Sequence, residues 1–281
     1  MEALSVAQAL AWARQQLEVI DDAAMDAEIL LADAMQKSRT WLKTWPEHTL
    51  SEDQQSRFKD LIQRRQKGEP TAYILGEKDF WSLTLKVTRD TLIPRPETEL
   101  LVEQALQRIP ADQKCTIADL GTGSGAIALA IASERPQASV WALDISEKAL
   151  KVAQANAQSN KISNVSFEQG SWLSQWQHGQ LDMIVSNPPY VAPNDPHLAD
   201  LVYEPVTALV AEDKGLSDIR QITQQAIEHL KPGGYLLFEH GYDQGVAVRE
   251  ILQQAGFKQI ETIKDYAGQD RVSLGVHSSN P

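Results

Sequence analysis

Cysteine is nearly absent from this chain. Cys115 stands alone among 281 residues, so no intrachain disulfide is available and a reducing compartment is expected. Its own reading is that of a small buried hydrophobe beside a strand. Positive charge is also short: 26 Lys and Arg face 38 Asp and Glu, a formal net charge of −12. Phosphate contacts dominate nucleic-acid affinity. That balance argues against a protein that wraps nucleic acid unaided, and leaves room for an acidic enzyme acting on a basic protein. Long apolar runs are missing too. None approaches the roughly 18 residues that suggest a membrane span, and the N-terminus carries neither a basic n-region nor an apolar h-region. The expectation is a soluble, cytoplasmic protein with no membrane contact. No internal repeat and no low-complexity tract is visible. What is present, 42% hydrophobic residues over a length that suits one large domain or two modest ones, is enough for an ordinary core.

Residues 1–75 read as a helical bundle. Ser5-Val6-Ala7-Gln8 and Ser51-Glu52-Asp53-Gln54 both match a capping box, in which an N-cap hydroxyl and an N3 amide satisfy each other's backbone donors. Leu10, Ala13 and Leu17 share one face of the first helix, and Ile29, Leu30 and Ala34 one face of the second. Trp41, Leu42 and Trp45, stopped by Pro46, predict a short helix or turn whose aromatics belong to the core. The next helix should end near Lys67 with Gly68 at C′. This segment is expected to be a substrate-recognition domain. Residues 76–94 form an expected β-hairpin linker, in which Phe80, Trp81, Leu83, Leu85 and Val87 roughly alternate. Residues 95–281 then make the second domain. From 115 onward strands and helices alternate: strands at 116–120, 138–143, 165–169, 182–186 and 235–240, with helices near 124–134, 146–159, 215–230 and 243–255. Two strands at 258–264 and 271–276 close the chain without a helix between them. The alternation predicts an α/β fold, a Rossmann-like doubly wound sheet, mostly parallel with an antiparallel final pair. Ligands belong at its C-terminal strand ends.

The stretch with the most chemistry is Ser186-Asn187-Pro188-Pro189-Tyr190 at the end of the apolar run from Leu181 to Val185. Two prolines stiffen it by fixing φ and removing donors. Asn187 offers a side-chain carbonyl, Pro188 a backbone carbonyl, and Tyr190 a flat ring. Together they can hold a planar NH2 group by both hydrogens and stack on the plane behind it. An amide or exocyclic amine is a poor nucleophile because its lone pair is delocalised, and two acceptors on its hydrogens push that pair back onto nitrogen. A bare Asn-Pro-Pro is also an ordinary turn, so an electrophile's site must accompany it. The end of the first parallel strand supplies one: Asp119-Leu120-Gly121-Thr122-Gly123-Ser124-Gly125-Ala126, with Asp144 nineteen residues past Gly125 placed to grip ribose hydroxyls. Gly121, Gly123 and Ala126 also satisfy a dinucleotide fingerprint. Asp119 tips the balance, because an acid there repels a pyrophosphate and suits an ammonium. S-adenosylmethionine has an ammonium and a ribose, and no phosphate. Gly170-Ser171-Trp172 places an apolar ring where an adenine needs cover.

With these motifs the sequence resembles the HemK/PrmC family, the release factor glutamine N5-methyltransferases. Asp119 to Gly125 and Asn187 to Tyr190 are its two core motifs, the second shared with adenine-N6 DNA methyltransferases. More specific are Leu92-Ile93-Pro94-Arg95-Pro96-Glu97-Thr98-Glu99, Glu204-Pro205 with Ala208-Leu209, Glu239-His240-Gly241, and Asp265-Tyr266 with Arg271-Val272. The resemblance implies methyl transfer from S-adenosylmethionine to the glutamine of the Gly-Gly-Gln loop in class-1 peptide-chain release factors. It implies cofactor contacts from Gly121, Thr122, Gly123, Ser124, Gly125, Asp144, Trp172 and Asn187, beside the Asp119 contact read above. It further implies that Asn187, Pro188, Pro189 and Tyr190 hold the substrate amide, with Asn187, Pro188 and Tyr190 closest to the chemistry. Relatives often carry Asp before the tryptophan. Here it is Ser171, so an adenine-amine contact from that side chain is in doubt.

The sulfonium methyl is already activated, so in-line displacement needs neither a covalent intermediate nor a metal; the enzyme orients nitrogen, methyl and sulfur. His197 and His240 are tempting bases, and each reads better as a structural histidine. Adenine methylation of nucleic acid is the enzymatic alternative, and it lacks a target-recognition domain and a basic groove for a flipped base. A cofactor-binding sensor is the other alternative, and it leaves Asn187 to Tyr190 without a role.

Overall fold

The computed structural model describes residues 4–278, with the side chains of His197 and Asp200 outside the described set. It divides into two compact units, Met1–Glu77 and Lys78–Pro281.

The first unit is helical: α1 (Val6–Gln16), α2 (Ala23–Met35), α3 (Arg39–Thr44), α4 (Glu52–Gln66) and the short α5 (Thr71–Leu75). Both capping boxes form. The Ser5 N–H donates to Gln8 Oε1 at 2.8 Å and the Ser51 N–H to Gln54 Oε1 at 3.0 Å, with the reciprocal serine bonds also made. Gly68 follows α4 in the left-handed region at φ 89°, where a residue without Cβ avoids strain. Leu17, Leu30, Leu31, Leu42, Phe58 and Ile62 form the core. Ile29 is only half-buried, because the buried stripe of α2 runs through Ala27, Leu30, Leu31, Ala34 and Met35. The aromatics divide as well. Trp12 meets Phe58 edge-on at 5.9 Å, whereas Trp45, expected in the core, caps the end of α3 and is 57% exposed.

The second unit opens with the hairpin β1 (Glu77–Phe80) and β2 (Leu83–Lys86), then α6 (Thr98–Arg108). Next come β3 (Thr116–Leu120), α7 (Ala126–Glu134), β4 (Ser139–Asp144), α8 (Glu147–Ser159), β5 (Val165–Gln169) and β6 (Leu181–Ser186). A long connection holding the helical turn α9 (Glu212–Gly215) leads to α10 (Ser217–His229), β7 (Leu230–Glu239), α11 (Gly245–Gln254), β8 (Lys258–Lys264) and β9 (Asp270–Val276). The seven strands run in the order β5-β4-β3-β6-β7-β9-β8, parallel from β5 to β7, with β9 antiparallel to both its neighbours. The antiparallel closing pair was legible in the sequence; the insertion of β9 between β7 and β8 was not. β7 also starts earlier than the expected Tyr235. Leu230 pairs with Leu181 ahead of a register shift, and Gly233 donates to the His277 carbonyl at 2.8 Å, so the Pro-Gly-Gly run is a bulge within the strand rather than a turn before it.

Both sheet faces are covered, which is why the parallel strands read as continuous apolar runs. Leu101, Leu129 and Ile131 of α6 and α7 cover one face, joined by Phe80, Leu83 and Leu85 of the hairpin. Ile219, Ile222, Val248 and Leu252 of α10 and α11 cover the other. The hairpin therefore packs as part of the sheet unit's core. Among the described residues, no helix is long and apolar enough to cross a membrane.

Candidate active site

The C-terminal ends of β3, β4, β5 and β6 open into a cavity of about 520 Å³ lined by Gly121, Gly123, Asp144, Gly170, Ser171, Trp172, Asn187 and Pro189, among others. The loop after β3 turns sharply. Gly121, Gly123 and Gly125 all have positive φ, at 73°, 57° and 86°, where side-chain-bearing residues are strained. The Gly121 and Thr122 N–H groups donate to the Leu143 carbonyl, each at 2.9 Å. Gly123 N–H donates to Asp144 Oδ2 at 2.9 Å, and Ser146 N–H to Asp144 Oδ1 at 2.8 Å. A carboxylate has about four acceptor sites, so Asp144 keeps lone pairs for a ligand at the cavity wall. Burial raises its pKa against those backbone donors.

Asp119 lies beneath this loop, fully buried rather than on the wall. Its Oδ2 accepts from Thr122 Oγ1 at 2.6 Å and from the Ala128 N–H at 3.1 Å. Among the described residues its Oδ1 has no partner. Burial pushes the carboxyl up to about 7, opposed by the Thr122 and Ala128 bonds. Thr122, Ser124 and Gly125 are likewise loop-builders and do not line the cavity. The Ser124 carbonyl accepts from Asn156 Nδ2 at 2.8 Å, and Gly125 packs against Ala153, which an added Cβ would approach to 3.1 Å. Asn156 also exchanges two bonds with the Lys86 backbone, at 2.7 and 3.0 Å, tying the loop to the hairpin. No sequence motif marks Asn156.

Trp172 holds a left-handed backbone, φ 53°, and its ring lies so close to Gly121 that a Cβ there would sit 3.2 Å from Cζ3. Burial shifts the Asp218 carboxyl upward. Ser171 and Asp218 both line the cavity.

Beyond β6, Ser186 donates through Oγ to the Leu120 carbonyl at 2.7 Å, fastening the start of the Asn-Pro-Pro-Tyr turn to β3. Asn187 and Pro189 face the cavity. Pro188 is buried, and Tyr190 is partly buried with its phenol pushed far above the usual range, first by burial and then by the nearby Glu239 charge. The turn is braced from behind. Val191 exchanges backbone bonds with Leu209 and Ala211 at 2.9 and 3.0 Å, and Gln244 Nε2 donates to the Tyr190 carbonyl at 3.1 Å. Gly215 passes so near that a Cβ would fall 2.0 Å from that carbonyl oxygen, so only glycine fits.

The segments that carried the family resemblance partner one another. Glu204 is buried, takes the Ile93 N–H at 3.0 Å and pairs with Arg95. Asn187 Nδ2 donates to Thr98 Oγ1 at 3.3 Å. Arg271 pairs with Asp265 at 3.2 Å. His240 is buried with both ring nitrogens engaged, Nδ1 to the Gly241 carbonyl and Nε2 to Ser273 Oγ, each at 2.8 Å. It is a structural histidine, its pKa lowered by burial. The His197 side chain lies outside the described residues.

The PrmC N-terminal domain family matches residues 8–76, and a methyltransferase domain family matches residues 111–269. A release factor glutamine methyltransferase of Vibrio cholerae is 49% identical over 98% of both chains. That of Pseudomonas aeruginosa is 51% identical over 92% of this chain and 95% of its own. The chain belongs to the release factor glutamine methyltransferase family. A methyltransferase structure from Pyrococcus furiosus, 18% identical, overlays 77% of this chain and 99% of its own with a TM-score of 0.56, which speaks to the fold alone. As a member of this methyltransferase family the protein is an enzyme, with its cavity at the strand ends that such sheets use for ligands.

Proposed function

We propose that this protein transfers a methyl group from S-adenosylmethionine to the side-chain amide nitrogen, N5, of the glutamine in the Gly-Gly-Gln motif of class-1 peptide-chain release factors. The observation that carries this reading is Asn187 on the wall of the same cavity as the glycine loop and Asp144, in a chain whose relatives bear that activity's name.

The residues fit the cofactor. Asp119 Oδ1, an acceptor without a partner among the described residues, lies buried beneath the loop rather than on the cavity wall. The bare face of Gly121 leaves the Trp172 ring room that a side chain would take. Asp144 would hold the ribose hydroxyls, Trp172 would cover the adenine, and Gly121 and Gly123 would let the backbone approach closely. When bound, S-adenosylmethionine supplies a methyl already activated by its sulfonium. This chain's residues supply position. Asn187 Oδ1 and the Pro188 carbonyl accept the two amide hydrogens, the Tyr190 ring backs the amide plane, and the stiff Pro188-Pro189 backbone holds that geometry. Tyr190 stays a neutral phenol, its ionisation opposed by burial and by Glu239. The helical unit is the recognition module in this reading, consistent with its separate fold. A protein beginning at Lys78 should bind S-adenosylhomocysteine yet methylate release factor poorly; full kcat/KM on intact factor would refute that role.

The direct test is mass spectrometry of a class-1 release factor incubated with this enzyme and S-adenosylmethionine. The expected product is one methyl on the Gly-Gly-Gln glutamine. No methyl, or a methyl on another residue, overturns the assignment.

A further inference from the structure

The acids on the cavity wall are Asp90, Asp144 and Asp218. Two of them are engaged by the protein. Asp144 takes the N–H groups of Gly123 and Ser146, and Asp90 pairs with Lys148 at 3.4 Å. Asp218, in the first turn of α10, is half-buried, and among the described residues no cation pairs with it. Burial makes its charged form costly, and no ion pair offsets that cost.

The fold fixes Asp218 beside the Trp172 loop. Two turns further along α10, Gln225 Oε1 accepts the Leu173 N–H at 2.8 Å and fastens that loop to the helix. Residues at i, i+3 and i+7 share one face of a helix. Asp218 and Gln221, which both line the cavity, therefore lie on the face that holds the loop. The helix is anchored there: Ile219 and Ile222 are fully buried in the apolar cluster against which Trp172 packs. An adenine covered by the Trp172 ring presents an exocyclic amine, a donor whose hydrogens need acceptors. Ser171, next to Trp172 on the wall, offers a hydroxyl. Asp218 offers a carboxyl, which keeps an acceptor oxygen whether or not it is protonated.

We propose that Asp218 accepts a hydrogen bond from the exocyclic amine of the cofactor's adenine, and so selects the adenosyl form of the methyl donor. This rests on the reading of the cavity as an S-adenosylmethionine site with Trp172 over the base.

The test is titration calorimetry of the full chain with S-adenosylhomocysteine and with its purine-ribosyl analogue, in which hydrogen replaces the amine and nothing else changes. The wild type should bind the analogue about 10-fold more weakly, the scale of one hydrogen bond to an ionised partner. In Asp218→Ala that ratio should all but vanish, because the group that reads the amine is gone. Asp218→Asn, which keeps one acceptor oxygen, should retain part of it, and Ser171→Ala should retain it whole. A purely structural loss at α10 would weaken both ligands alike and leave their ratio at the wild-type value, so the ratio is the deciding quantity. The proposal is overturned, with the cofactor reading intact, if the wild type binds both ligands equally or if Asp218→Ala keeps the full ratio. It is equally overturned if Ser171→Ala abolishes the ratio, which would move the contact to that hydroxyl. A wild type that binds neither ligand overturns the cofactor reading, and this proposal with it.

Discussion

In the helical unit, buried or half-buried charge is matched. Asp26 takes Arg65 at 2.6 Å and Thr71 at 2.7 Å, Glu28 collects Arg39 and Lys43, and the two serine caps close on their own glutamines. In the sheet unit some buried charge is matched, as Glu204 is by Arg95, and some is left with an unpartnered oxygen. The two buried side-chain oxygens without a partner among the described residues, on Asp119 and Glu239, both lie there, near the loops that face the cavity. Unpaired buried polar atoms cost stability and persist where surrounding structure imposes them. The contrast fits the proposed function, in which the sheet unit alone holds a ligand. Proteins that break one unit's rule should therefore fail in different assays.

The largest effect is expected at Asn187. Asn187→Ala removes the amide that grips the substrate in the proposed function, and should lower the single-turnover rate on the order of 10²-fold or more, roughly 3 kcal/mol of barrier. Release factor affinity should move far less, because the turn is a small part of any protein interface. A stopped-time assay beside a binding assay separates the two. An equal loss in both would place Asn187 in binding rather than in the transfer step.

Next comes Asp144→Ala. Losing the charged acceptor that the proposed function gives the cofactor ribose should weaken S-adenosylhomocysteine by about 1.5–3 kcal/mol, read by titration calorimetry. The same variant also releases the N–H groups of Gly123 and Ser146. Asp144→Asn, which retains one acceptor oxygen, should fall between the two. An unchanged affinity in both would remove Asp144 from the cofactor site.

The helical unit answers in a different currency. Ser51→Ala deletes the N-cap hydroxyl of α4, which should cost about 1 kcal/mol of that unit's stability, followed by urea unfolding. Its S-adenosylhomocysteine affinity should equal wild type. A matching loss of cofactor affinity would mean that the two units do not divide stability and chemistry in this way.

How much of this was readable beforehand follows from range. The glycine loop, Asp144 and the Asn-Pro-Pro-Tyr turn are each contiguous, and their backbone demands are written locally by Gly and Pro. So were the capping boxes. The sheet class followed from alternation, but the place of β9 between β7 and β8 depends on which edge the last strand finds, and no local signal states that. Trp45 looked like core because aromatic residues usually are; its position past the end of α3 left it at the surface. Asn156, Thr98 and Glu239 escaped for a further reason. Thr98 and Asn187 are 89 residues apart, and their meeting is a property of the folded sheet. The segments holding Arg95, Thr98 and Glu204 stood out as family-like, and only the fold shows that Arg95 meets Glu204 and Thr98 meets Asn187.

The smallest effect sharpens the comparison through pH. Glu28 in the helical unit has its pKa lowered, first by the Arg39 hydrogen bond. Its contribution to stability is present above the unfolded carboxyl range and lost as pH falls through the folded value. Burial instead raises Glu239 to about 7. Between the unfolded range and that value the native state holds the extra proton, so the sheet unit loses stability as pH rises. Asp119, also near 7, acts in the same direction. His240, lowered by burial, acts oppositely as pH falls through the ordinary imidazole range, so the raw slope of the wild type mixes signs. The difference between wild type and Glu239→Gln isolates the carboxyl, because His240 is common to both. From pH 5 to pH 8 the wild type should lose stability relative to Glu239→Gln, the loss building up to about pH 7 and levelling off above it, measured by urea unfolding at each pH. Parallel stability curves for the two proteins would mean that Glu239 does not change protonation in this window.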